Sequence, residues 1–371
     1  MPDDLSTSTQ SRDVPLTGAV ATPASASFEP AALTPVQSNS TPPSGGAPDP
    51  KIVHSSGGMF KAIMQWEATG VLIALIVLCT ALALATPNFL TSYNITVVVR
   101  EASFVGLVAL GQTLVLLLGG IDLSVGAAAA ISSIVGCLML TQAGVPAPLV
   151  IPCTAVFGLL IGSINGFFIS VLKLNPFIVT LATWEIFAGM TLVVTKGYPV
   201  RPLGPAFTKY GQGGLFGIPG PVLLFLVLAL IMVWVLRSTR FGRNLYAIGG
   251  NRDAAVLVGI PVMRTELIVY AMAGMFASLA GIMYASRVDA GQPSVGEGWL
   301  MKAITAAILG GTSLKGGQGT IVGTIFGTLL TAVLANGLSL MNVSAYWARV
   351  VVGTIVLLAV LGDLLRHRGR S

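Results

Sequence analysis

"LGGIDLSVG" (Leu118–Gly126) and "LGGTSLKGG" (Leu309–Gly317) stand in opposite halves of the chain, yet they agree at five places: Leu-Gly-Gly at the start, Leu at the sixth and Gly at the ninth. An apolar run precedes each copy, and small residues follow: "AAAAISSIVG" after the first, "QGTIVGTIFG" after the second. Paired, Gly-interrupted segments in two halves of a membrane protein point to a translocation site built on broken helices. Broken backbone is tolerated at membrane depth only where protein or water satisfies it. The same pattern also describes a tight Gly-rich turn joining two helices at the membrane surface. Counting spans places both copies on one face of the membrane, which favours turns, and the sequence leaves both readings open.

Either reading requires a membrane, and the composition supplies one. Of 371 residues, 54% are hydrophobic and 9% are charged, and the mean hydropathy is +0.85. Soluble domains carry about 25% charged residues, so the expected solvent is lipid. The net charge of +6 is not a nucleic-acid signal here, because basic residues in a membrane protein gather on the cytoplasmic side. Cys79, Cys137 and Cys153 lie in apolar runs without metal or disulfide spacing, and His54 and His367 flank the apolar region. No metal, cofactor or catalytic residue is expected.

Residues 1–60 read as a disordered cytoplasmic tail. The first fifty are rich in Ser, Thr, Pro, Ala and Gly and cannot offset the entropy of ordering. They also lack the basic start and apolar core of a signal peptide. Residues 61–365 form the membrane domain, and 366–371 a short basic tail. A spanning helix needs about 20 apolar residues. Segments near 68–86, 97–118, 124–141, 148–172, 177–195, 219–236, 265–285, 299–311, 319–340 and 346–362 give an all-α, polytopic membrane protein of about ten transmembrane helices. Lys51 and Lys61, the arginines between 237 and 264, and Arg366, Arg368 and Arg370 then share one side, the cytoplasm, with both termini. Lys196, Arg201 and Lys209 are exceptions in an outside loop. Gly158, Gly162 and Gly166 repeat every four residues, the spacing of a close helix–helix contact.

The loop 238–264 between the sixth and seventh segments contains "LYAIGGNRDAAVLVGIPVMR" (Leu245–Arg264), a polar interruption in an oily chain. Asn251 suits a helix cap, Asp253 the first turn and Gly259 the stop. A short helix outside the lipid, with small residues on it, suits a soluble partner; an ordinary structured loop is the plainer reading. Asp253-Ala254-Ala255 followed by Gly259 resembles the "EAA…G" cytoplasmic loop of ATP-binding-cassette importer permeases, with Asp for Glu. "FGRNLYAIGGNRDAAVLVGI" resembles the form that loop takes in the permeases of ribose, xylose and galactose importers. "GGIDLSVG", "NPFIVTLAT" (Asn175–Thr183) and the stretch Ala306–Trp347 agree with the same branch, and the likeness covers roughly residues 60–362.

The resemblance implies a machine of several subunits in the cell (inner) membrane. Two permease copies, identical or related, form the pathway, two ATPase subunits dock on the EAA-type loops, and an external sugar-binding protein delivers a monosaccharide. It assigns the ATPase-coupling loop to Gly249, Asn251, Asp253, Ala254, Ala255 and Gly259. The chain contains no G-x-x-x-x-G-K-[ST] phosphate loop, so the expectation is a transport subunit and not an enzyme.

Polar residues at membrane depth are the pathway candidates: Gln112, Asp122, Asn165, Thr183, Glu185 and Asn336. Asp122 either caps the third segment or lines the pathway. Glu185, a departure from the resembled family, either accepts hydrogen bonds from sugar hydroxyls, pairs with Lys302, or is protonated in place. For the amides and hydroxyls, gluing helices together is the duller role. Arg100 and Glu101 suit a local pair or a lipid-headgroup contact. Two other functions compete. A branched-chain amino-acid permease shares the loop. An ion-coupled secondary transporter would need paired intramembrane acids and no such loop.

Overall fold

The computed structural model describes residues 69–344 and scattered positions from 346 to 357. The expected disordered tail, the tail 366–371 and most of the tenth expected segment lie outside the described residues. Nine apolar helices follow one another: α1 (Thr69–Ala85), α2 (Ser92–Leu117), α3 (Val125–Thr141), α4 (Ala147–Ser170), α5 (Pro176–Thr195), α7 (Gly220–Ser238), α10 (Val262–Val288), α11 (Trp299–Leu309) and α12 (Ile321–Leu340). Between α5 and α7 lie the eight-residue α6 (Pro205–Gln212) and a two-stranded hairpin, β1 (Gly214–Leu215) and β2 (Ile218–Pro219). Between α7 and α10 lie α8 (Arg240–Gly250) and α9 (Arg252–Leu257).

Local chemistry sets the boundaries. Thr91 Oγ1 accepts the Asn94 amide at the start of α2, and Thr320 Oγ1 accepts the Gly323 amide at the start of α12. Asn175 Oδ1 takes the Phe177 amide at 2.9 Å, and Pro176 occupies the first turn of α5, where its missing N–H has no intrahelical partner anyway. Among the described residues six helices, α2, α4, α5, α7, α10 and α12, are long and apolar enough to cross a bilayer. The helices α1 and α3 have 17 residues, and α11 has only 11. At 1.5 Å per residue α11 rises about 16 Å, roughly half the hydrocarbon thickness. Glycines in left-handed backbone, Gly298 (φ 75°) before it and Gly311 (φ 90°) after it, stop it at both ends.

The core is organised around α10, whose buried residues run from Val262 to Ser286. It packs on α4, α2 and α3. Gly158, Gly162 and Gly166 of α4 press on the α10 backbone: a Cβ on Gly162 would run into the Tyr270 carbonyl and one on Gly158 into Ser278. The helices meet backbone to backbone, as expected where lipid offers no hydrophobic drive and small residues permit close van der Waals packing. The hydroxyls of Ser132 (α3) and Ser278 (α10) share a hydrogen bond of 2.7 Å in the same core. By contrast α5 and α7 show broad exposed apolar faces, including Ile178, Ile186, Val193, Leu230 and Trp234.

Gly162→Ala is expected to lower the stability of the detergent-solubilised protein by about 1–3 kcal/mol through overpacking, read as a fall in melting temperature. Gly70→Ala, where a Cβ meets nothing within 4 Å, should stay within about 0.5 kcal/mol of the parent.

Candidate functional site

At one end of the bundle α8 and α9 form a bracket outside the apolar helices. Thr239 caps α8 through the Gly242 amide, and Asn251 Oδ1 caps α9 by accepting the Ala254 amide at 2.9 Å. Asp253 sits in the first turn of α9, where the helix dipole favours an acid. Past the C-terminus Gly259 adopts φ 78° while its amide bonds Val256 O and the Ile260 amide bonds Ala255 O, a left-handed cap only glycine enters without strain. Ala255 is buried against Ile248 and Val262. Its neighbour Ala254 is exposed, and so are Val256, Leu257 and Val258, with Leu257 87% open. The short helix thus buries one alanine and presents an apolar edge.

One ion pair ties this helix to the core. The guanidinium of Arg252 lies 3.0 Å from one Glu266 carboxylate oxygen and 3.1 Å from the other. Glu266 belongs to α10 and is 7% exposed. Beside the pair opens a groove of ≈ 920 Å³ reaching Lys173, Asn175 and Tyr270.

The two repeated segments are turns, one joining α2 to α3 and the other α11 to α12, and they touch each other at this end. The Gly317 amide donates to Leu117 O at 2.9 Å. Gly249 of α8 lies over the same carbonyl, and its Cβ would collide with it. Gly316 (φ 87°) faces Gly119 and the Gly249 carbonyl, and Tyr246 Oη donates to Gly319 O at 2.8 Å. The copies share a local device at their fifth place. Asp122 Oδ1 accepts the Ser124 amide at 2.9 Å, and Ser313 Oγ accepts the Lys315 amide at 3.2 Å.

The sequence candidates occupy different places. Gly249 packs against the turns, while Asn251 and Gly259 shape α9, and Asp253 and Ala254 lie on its exposed side. Asp122 is buried, accepts the Ser124 hydroxyl as well as its amide, and Asn165 Nδ2 donates to that hydroxyl at 2.8 Å. Thr183 is buried and bonds Thr180 O, whereas Glu185 is exposed on the opposite face of α5. Asn336 exchanges two hydrogen bonds with Asn94 at 3.0 and 2.8 Å, linking α12 to α2. Gln112 is completely buried, and neither of its amide atoms meets a partner among the described residues. Glu101 pairs with Arg287 at the far end of α10, not with its neighbour Arg100. That partner stands 186 positions away, and no spacing rule in the sequence finds it.

The chain matches the family model described as branched-chain amino acid transport system / permease component over residues 94–360. It is 43% identical over 307 residues to the ribose import permease protein of Bacillus subtilis (strain 168), covering 82% of this chain and 94% of that one. It is 36% identical over 315 residues to the L-arabinose transport system permease protein of Escherichia coli (strain K12), with 82% and 93% covered. The D-allose transport system permease protein of the same strain is 35% identical over 307 residues, with 82% and 94% covered. The chain belongs to this family of importer permeases.

Burial lifts the Asp122 carboxyl from 3.8 to about 6, although both bonds from Ser124 pull it down. A folded-state value above the unfolded one means that its contribution to stability is fully present below about pH 3.8 and is lost as pH rises through about 6. Between pH 5 and 7.5 this loss is on the order of 1 kcal/mol. Asp122→Asn keeps an acceptor for Ser124 and removes the titration. Its melting temperature should fall less than the parent's between those pH values. An identical pH slope in both proteins would show that Asp122 does not titrate there.

Proposed function

We propose that the chain is the membrane permease subunit of an ATP-binding-cassette importer that carries a monosaccharide into the cell, with a separate ATPase subunit supplying the energy. Support comes first from its relatives, which are permeases for ribose, L-arabinose and D-allose. The family description names branched-chain amino acids, but the sugar permeases align along nearly their whole length. The observation that carries the coupling half is α9: a capped helix outside the apolar bundle, open at Val256, Leu257 and Val258, and tied to the central α10 through Arg252–Glu266. On this reading α9 seats in a groove of the ATPase, with Asp253 and Ala254 on the contact edge. Movement imposed there passes to α10 through the ion pair and to both repeated turns through α8.

The α8–α9 end then faces the cytoplasm with both termini, and ten spans cross the membrane. A sugar-binding protein delivers from the side of α6 and the hairpin. A second permease copy covers the exposed face of α5. A charged side chain at mid-span facing lipid costs about 2.5–3.5 kcal/mol by insertion scales, and Glu185 stands there exposed among the described residues. A partner copy set against that face removes that cost.

Leu257→Glu is the direct test of the coupling surface. Leu257 is open and makes no core contact, so membrane insertion and protein abundance should not change. ATPase co-purification should fall roughly tenfold or more, as for a charge placed in the centre of an apolar contact. Retention of the ATPase with full sugar-stimulated hydrolysis would make α9 ordinary structure. Gly259→Glu is a poorer probe, because its positive φ (78°) strains any side chain and would unsettle the cap as well as the surface.

A further inference from the structure

Away from α8, between α2, α11 and α12, lies a cavity of ≈ 270 Å³. Glu101 on its wall stands 16 positions before Leu117, so about 24 Å from the junction of the turns at 1.5 Å per residue. This volume falls just below the ~300–1,000 Å³ usual for drug-sized ligands, a size that suits a single small ring. Its lining residues include Trp299, Glu101, Lys302, Thr328, Thr331 and Asn336.

Both chemical parts of the wall are held in place from behind. Trp299 lies nearly parallel to Phe104, with centroids 6.3 Å apart, and edge-on to Tyr284 at 5.7 Å. Arg287 pairs with Glu101 and lies over the Phe104 ring, 5.8 Å from its centre. An aromatic plane packed on Phe104, beside a carboxylate paired with Arg287, suits a ligand with an apolar C–H face and a rim of hydroxyl donors. Charge-assisted hydrogen bonds from hydroxyls to a carboxylate are among the stronger kinds.

A second observation lies further along α2. Gln112 lies eleven positions after Glu101, which returns it to within about 20° of the same face of α2. Its amide is completely buried and unbonded among the described residues, a state that costs about 1–3 kcal/mol unless another group supplies the bonds. Next to it the Thr113 hydroxyl bridges to Thr324 of α12 at 2.8 Å.

We propose that this cavity is a monosaccharide site within each permease subunit, with Trp299 taking the C–H face of the ring, Glu101 and Lys302 its hydroxyls, and Gln112 the next polar station toward α8. The inference rests on the importer reading above and gives its substrate a location.

Thiol protection in the assembled importer tests it. Cys79, Cys137 and Cys153 are replaced by alanine, and Thr331→Cys places one thiol in the cavity wall. A water-soluble maleimide should label that thiol, and D-ribose, L-arabinose or D-allose, whichever the importer carries, should slow labelling severalfold. Adding Trp299→Ala should raise the sugar concentration needed for protection roughly tenfold, the scale of one lost contact, while the ATPase still co-purifies. Gln112→Leu should leave protection intact and reduce uptake. A transported sugar that never protects the thiol, or a Trp299→Ala protein with unchanged sugar dependence, overturns the site. Undiminished uptake by Gln112→Leu removes the second station. If the parent protein carries no monosaccharide at all, the importer reading falls and the site falls with it, an outcome distinct from transport without protection.

Discussion

The Leu117 carbonyl is the point on which the α8 end of the molecule depends. It accepts the Gly317 amide at 2.9 Å and lies directly beneath Gly249. Three chain segments from distant parts of the sequence converge on one backbone oxygen, and glycine is the only residue that leaves room at Gly249. Buried backbone groups must be paired, and here the pairing runs between elements. The two turns therefore move together or lose the bond, and α8 is fastened to the second turn by the Tyr246 hydroxyl on Gly319 O. The helix α9 follows directly after α8, and Arg252 fastens it to α10. In the proposed coupling, a push on α9 would reach the centre of the bundle by two routes, one through the packed α8 and one through the Arg252–Glu266 ion pair.

That centre is suited to receive it. Close contact between α10 and the glycine face of α4 leaves little space for the helices to deform, so a displacement of α10 carries α4 with it. The outward faces of α5 and α7, by contrast, are left exposed by the described residues. The arrangement divides the subunit into a stiff interior linked to the α8–α9 bracket and a periphery open to lipid or to another subunit. At the far end of α10, Arg287 pairs with Glu101, so the helix that carries Glu266 also reaches a wall of the proposed sugar cavity.

Much of this was legible in the sequence because local chemistry sets it. The nine apolar helices fall within a few residues of the segments read from hydropathy. The short helix in the polar loop is explained by the residues that mark it: Asn251 caps, Asp253 meets the dipole, Gly259 reverses the chain. The repeat was visible too, and its turns carry the same hydrogen bond at Asp122 and Ser313. What stayed hidden depended on three-dimensional neighbours. Gly249 reads in the sequence as part of the coupling surface, but the space around it makes it a packing residue for the turns. Glu101 looks like the partner of adjacent Arg100, yet successive helix positions point about 100° apart, and Arg287 is within reach only after α10 packs on α2. Glu185 is a membrane acid in the sequence; that it faces outward is a fact of tertiary packing alone.

The central claim is that sugar movement through this subunit is driven from the α8–α9 end by a separate ATPase. Its most direct test is sugar uptake in proteoliposomes containing the permease, its ATPase and its binding protein, with ATP supplied only on the ATPase side and all ion gradients collapsed by ionophores. The account predicts uptake that requires ATP, ignores the ionophores and disappears with Leu257→Glu. Uptake that continues without ATP, or that stops when the ion gradients are collapsed, would contradict it.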